Sequence, residues 1–265
     1  MPAVNPTQLK FQLDALMGYF YEPEDFHREL SHLFSRYANL ALRFGDEAPT
    51  QPFMEIYHLP FPVIRQLRLD LRREINRNPQ VALLLADELW QDAYLEVKET
   101  AIYILGQTPT DDPKLILERI NLWLDEDIEK ALKTEILSAG THLLQTHFPK
   151  DWEDFIKSFL VKDQIKNINL GLQGLTEGLK NPEFTNIPIV FRLVSDFIQE
   201  PQAEYRGALI NLIEALADRL PVETAYFLRQ ALSISQSSEL PRLIKNCLEF
   251  FPEDVRENLS SSVRK

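Results

Sequence analysis

The strongest concentration of reactive side chains in this sequence is a run of arginines in the stretch VIRQLRLDLRREINRN. Arg65, Arg68, Arg72 and Arg73 recur at i, i+3, i+7 and i+8, the spacing of one side of an α-helix, and Arg77 follows one turn later. Guanidinium forks match phosphate or carboxylate oxygens two at a time. The strip therefore reads either as a phosphate contact or as a solvated surface whose charges are met by Asp70 and Glu74 on the same helix. Pro62 suits the first turn of that helix, and Ile64, Leu67, Leu71 and Ile75 form the neighbouring face that should point to a core.

Other groups with chemical potential are sparse. Trp123-Leu-Asp-Glu-Asp127 sets an aromatic ring beside three carboxylates, as in a cation pocket, but Asp125 and Asp127 also suit a loop and N-cap ahead of a helix starting near Ile128. His142 and His147 stand five apart, which does not put both on one helical face for a metal, and the zincin pattern is absent. Ser233, Ser235, Ser237 and Ser238 read as a solvated turn, since the last histidine is His147. The single cysteine, Cys247, leaves no internal disulfide or cysteine-based zinc cluster and reads as a packed core residue. With 8 glycines and neither G-x-G-x-x-G nor G-x-x-x-x-G-K-[ST], nucleotide binding by those motifs is excluded, and no cofactor or metal is expected. A net charge of −12, from 40 acidic and 28 basic residues, argues against indiscriminate nucleic-acid binding. A local basic face can still override it.

These residues must be positioned by helices. Between Pro79 and Pro109, Val81, Leu84, Leu85, Leu89 and Trp90 fall at helical spacing, then Val97, Ala101, Ile104 and Leu105 do so again, with a polar break near Gln91 and Asp92. Two helices that close together fold back as an antiparallel hairpin. Further apolar helices run into Pro109, Pro149, Pro182, Pro221 and Pro252, which are 31 to 40 residues apart, the period of a two-helix repeat. Small residues recur in the second helices at Ala101, Ala139, Gly174, Ala208 and Cys247, where neighbouring helices can approach. The expected fold is all-α, a HEAT-like α-α superhelix built from stacked antiparallel helix pairs.

The expected organisation is an N-terminal helical cap and polar linker over residues 1–52, a repeat array over 53–258, and a disordered tail over 259–265. Residues 45–52, GDEAPTQP, are the candidate flexible linker. The helix read after the Trp123 loop spans residues 130–146. No apolar run of about 18 residues occurs and the N-terminus lacks the order of a secretion signal, so a cytoplasmic protein without a membrane partner is expected.

Three stretches resemble the AlkD-like DNA alkylation-repair family of HEAT-repeat proteins: Tyr57-His-Leu-Pro-Phe-Pro62-Val-Ile-Arg65, the segment 82–105 with Leu-Ala-Asp-Glu-Leu-Trp90, and Phe227-Leu-Arg-Gln-Ala-Leu232. Within the first hairpin, Val97, Lys98, Ala101 and Leu105 are similar to the second helix of a HEAT repeat. The resemblance implies a DNA glycosylase for alkylated purines in the active members, using a Trp and an Asp one turn apart and an Arg from the next repeat. Here Thr134 and Ser138 stand where the Trp and Asp belong, and Lys166-Asn167 where the Arg belongs. Two readings follow. One is a non-catalytic solenoid that binds a macromolecule, either duplex DNA through Arg65, Arg68, Arg72 and Arg73 or a protein on its concave face. The alternative is a glycosylase in which Asp127 stabilises the developing sugar cation and Trp123 stacks on it, that pair having the required spacing.

Overall fold

The computed structural model describes residues 4–39, 54–161 and 165–263. Among them every regular element is helical, and the single β contact is an isolated bridge between Glu55 and Tyr94. Packing divides the chain into two compact units, Met1–Leu144 and Gln145–Lys265.

The first unit contains α1 (Pro6–Met17), α2 (Pro23–Tyr37), α3 (Phe61–Arg77), α4 (Pro79–Trp90), α5 (Leu95–Gln107), α6 (Lys114–Asp125) and α7 (Lys130–Glu135), the last widening into a π turn over Ile136–Gly140. Alternate helices form two rows. In one, α1 packs on α3, α3 on α5, and α5 on α7 and its π turn; in the other, α2 packs on α4. Asp87 of α4 takes a two-pronged bond from Arg119 of α6, at 2.8 and 2.7 Å. The pair α4 and α5 is the hairpin expected from the sequence, with its break at residues 91–94.

The second unit repeats the arrangement. After α8 (His142–His147), in which the division between the units falls, come α9 (Pro149–Phe159), α10 (Ile165–Lys180), α11 (Ile187–Gln199), α12 (Arg206–Arg219), α13 (Pro221–Ile234), α14 (Glu239–Cys247) and α15 (Glu253–Val263). Here α10, α12 and α14 make one row and α11, α13 and α15 the other, with Arg192 of α11 bonded to Glu153 of α9 at 2.8 Å.

Each proline expected to end a helix is separated from one by a single residue, and three joints, two of them in that set, show why such positions recur. Asn78, Phe148 and Leu220 each stand alone between two helices, ahead of Pro79, Pro149 and Pro221. A residue before proline is pushed out of the helical region, and their dihedrals agree closely, at φ −139, −128 and −144° with ψ 66, 55 and 70°. Proline lacks the N–H that a first helical turn leaves unpaired anyway. The joint residue thus serves both helices: Leu220 donates to the Leu216 carbonyl at 2.8 Å and accepts from Thr224 at 3.0 Å.

Several expectations are corrected. The core face of α3 is Val63, Leu67, Leu71 and Ile75, with Ile64 half-buried. Leu84 is 59% exposed, and α4 buries Ala82, Leu83, Leu85, Ala86, Leu89 and Trp90 instead. The helix read over residues 130–146 is interrupted at Gly140 and Thr141. Residues 259–263 are not a disordered tail, because Leu259 is fully buried and α15 continues to Val263. The linker at 45–52 lies outside the described residues.

Where α5 meets the π turn, backbone touches backbone. A Cβ on Gly106 would lie 1.8 Å from the Ala139 carbonyl oxygen, and that atom belongs to main chain and cannot swing away. Gly106→Val should therefore destabilise the fold by about 3 kcal/mol, seen as a lower urea midpoint at unchanged slope. A midpoint equal to the wild type would mean that the two helices are not in backbone contact.

Candidate functional site

Helix α3 sorts its residues cleanly. With Val63, Leu67, Leu71 and Ile75 inward, the opposite side presents Phe61 (73% exposed), Arg65, Leu69 (55% exposed), Arg72 and Arg73 to solvent. The expected neutralisers are engaged elsewhere: Asp70 accepts from Lys10 of α1 at 3.0 Å and from Gln66 at 3.2 Å, while Glu74 holds Arg77 at 3.1 Å. Among the described residues Arg65, Arg72 and Arg73 have no ion-pair partner. Three guanidinium groups on one exposed side keep their forks open for an external anion.

Arg68 differs from the other three. It is half-buried, reaches Glu135 of α7 at 3.4 Å, and stands 5.1 Å above the ring of Tyr103 on α5. That phenol donates to the Arg68 backbone carbonyl at 2.9 Å, which ties α3 to α5. Beside Tyr103 along α5 lies Glu99, half-buried and, among the described residues, without a hydrogen-bond or ion-pair partner. Burial, the neighbouring carboxylates of Glu135 and Glu96, and only partial relief from Arg68 push the Glu99 carboxyl up to about 7. Sequence reasoning did not find Glu99, Tyr103 or Glu135, because they come from two helices that only packing brings together.

The pair Trp123 and Asp127 is separated in character. Trp123 is 4% exposed and stacks on Trp90 of α4 with ring centres 4.2 Å apart and planes 8° from parallel. One indole face is thus covered by another indole. The Trp90 N–H donates to Glu126 at 2.8 Å, and the ammonium of Lys98 sits 4.2 Å from the Trp90 ring centre and donates to its backbone carbonyl. Asp127 is exposed, and α7 begins at Lys130 with Glu129 as its cap residue and no side-chain cap bond, so neither Asp125 nor Asp127 caps that helix. Cys247 is fully buried, and burial pushes its thiol up to about 12. Among the described residues no three His, Cys, Asp or Glu side chains are arranged to hold a metal. No helix among them is long and apolar enough to cross a membrane.

No known protein family, curated protein or solved structure matches the chain. The reading of the site rests on its own geometry.

A second polar group ties α2 to the hairpin. His27 lies between Asp92 (2.5 Å to Nε2) and Glu88 (3.0 Å to Nδ1). Burial alone would lower its pKa, but the hydrogen bonds to Asp92 and Glu88 outweigh that and raise it above 6.5. A raised folded-state value means stabilisation that is complete below the unfolded value and lost as pH climbs through the folded one. His27→Gln should therefore lose most stability relative to wild type near about pH 6, and the gap should close towards about pH 8.5. Melting curves across that range decide it; a gap that widens with pH would contradict a charged His27.

Proposed function

We propose that this protein is a non-catalytic helical scaffold that binds duplex DNA along its phosphates, with Arg65, Arg72 and Arg73 as the contact residues and Arg68 at their edge. The observation that carries the reading is the set of open guanidinium forks on one exposed side of α3, where Asp70 is taken by Lys10 and Glu74 by Arg77. Arg65 and Arg72 are seven residues apart, about 11 Å along the helix axis. That distance is close to three nucleotide steps at about 3.4 Å of rise each. A net charge of −12 keeps the rest of the surface away from a polyanion, so contact is confined to this face. The resemblance to DNA alkylation-repair proteins and the all-helical fold fit this reading, and the covered face of Trp123 favours binding over base excision.

Each phosphate neutralised adds about 0.9 to the slope of log affinity against log salt. Three contacts predict a slope of about 2.7 and a loss of about fortyfold between 50 and 200 mM salt. Titration of a labelled duplex should show this, and Arg65→Ala, Arg72→Ala and Arg73→Ala should each remove about one from the slope. Absence of binding at 50 mM salt, or a slope indifferent to the triple substitution, would refute the assignment.

A further inference from the structure

We propose that phosphate binding on the α3 face is coupled to uptake of a proton by the carboxylates behind Arg68, so that the face is an acid-strengthened interface. This rests on the phosphate reading above and adds its regulation. Three carboxylates, Glu96, Glu99 and Glu135, converge on a region where Arg68 is the one cation within reach among the described residues. They are not equivalent. Glu96 is nearly buried and accepts the Tyr57 backbone N–H at 3.0 Å, and Glu135 holds Arg68 at 3.4 Å. Glu99 alone has neither bond, so among the three it is the one whose charge is least stabilised, relieved only in part by Arg68, and the one to take the proton.

Among the described residues, Arg68 is the cation that relieves the charge of Glu99. From α3 come Arg68 and, further along, Arg72, whose charge is felt at the Tyr103 phenol between them. From α7 comes Glu135, and from α5 itself Glu96 one turn back. Helix α4, packed on the other side of α5, spends Asp87 on Arg119 and Glu88 on His27. Lys98, adjacent in sequence, points to Trp90. When Glu99 is ionised, an incoming phosphate meets a half-buried negative charge, and Arg68 is drawn inward between two carboxylates. When Glu99 is protonated, that repulsion falls and Arg68 is held by the long contact to Glu135 and the ring of Tyr103. The balance shifts near neutrality, since the carboxyl sits at about 7. A phosphate near Arg68 raises it further, which is the reciprocal face of the same linkage.

The test is duplex titration at about pH 6 and about pH 8, at fixed salt, with wild type, Glu99→Gln and Glu135→Gln. Wild type should bind about three- to tenfold more tightly at the lower pH, within the ceiling of tenfold per pH unit for one coupled proton. Glu99→Gln should bind at both pH values as tightly as wild type does at the lower one, and Glu135→Gln should bind more tightly than wild type at about pH 8. His27 is also held above its usual value by Asp92 and Glu88, so only the pH dependence that Glu99→Gln removes counts. If wild type binds equally at both pH values, or Glu99→Gln keeps the full dependence, the coupling is overturned while the phosphate face stands. Loss of all binding by wild type would overturn both. A readout without DNA checks the proton site itself: wild-type melting temperature should fall relative to Glu99→Gln as pH rises from about 4.5 to about 7 and level off above, because an ionised, half-buried Glu99 destabilises the fold. Parallel melting profiles would contradict a proton on Glu99.

Discussion

Enclosure of α5 is the constraint from which the rest of the first unit follows. Glu96, Val97, Thr100, Ala101, Ile102, Ile104, Leu105 and Gly106 are all buried, so this helix meets protein on nearly every side. A helix so placed must satisfy its polar groups internally. Thr100 and Thr108 return their hydroxyls to the carbonyls of Glu96 and Ile104, both at 2.7 Å, and the Glu96 carboxylate takes a backbone N–H. Close approach at Gly106 then draws in the π turn that follows Glu135, and the half-buried remainder of the helix, Glu99 and Tyr103, is pressed against α3. The environment of Arg68 is thus decided by packing several residues away from it.

Charge in this protein is divided by partner rather than by sign. The acidic groups of α4 and the following loop are engaged within the fold, Asp87 by Arg119 and both Glu88 and Asp92 by His27 of α2. On α3 the pairing is selective, and it draws off the anions while leaving cations free: Asp70 goes to Lys10 and Glu74 to Arg77. Exposed pairs of this kind add little stability each. Their effect here is to clear carboxylates from the side that carries Arg65, Arg72 and Arg73.

What could be read in the sequence was whatever a single helix encodes by its own spacing. The arginine side of α3 is such a pattern, as is the break at residues 91–94 that makes the α4 and α5 hairpin. Direction was harder: placing Ile64 rather than Val63 inward is a rotation of one residue, and periodicity does not say on which flank the next helix will lie. Leu84 shows the same limit, an apolar residue in phase with its neighbours that packing leaves outside. Wholly illegible were contacts between separate repeats. Trp123 beside three carboxylates suggests a cation pocket until Trp90, from the preceding hairpin, is seen lying flat against it. Glu99 has nothing in its local sequence to mark it, since the groups that perturb it include Arg68 and Glu135 from other helices.

The one-residue joints at Asn78, Phe148 and Leu220 bear on how such a chain can change over evolutionary time. Each joint residue is claimed by the hydrogen-bond ladders or dihedral limits of two helices, and no spare residue lies beside it. A single inserted residue would turn everything downstream by about 100° about the helix axis and carry the apolar stripe out of its row. Lineages of this fold are therefore free to lengthen or shorten at connections such as residues 91–94 or 108–113, while the two helices that meet at a proline corner keep a fixed phase. The proline corners are the fixed points of the repeat, and descent within the fold should be traced from corner to corner before it is traced through side-chain identity.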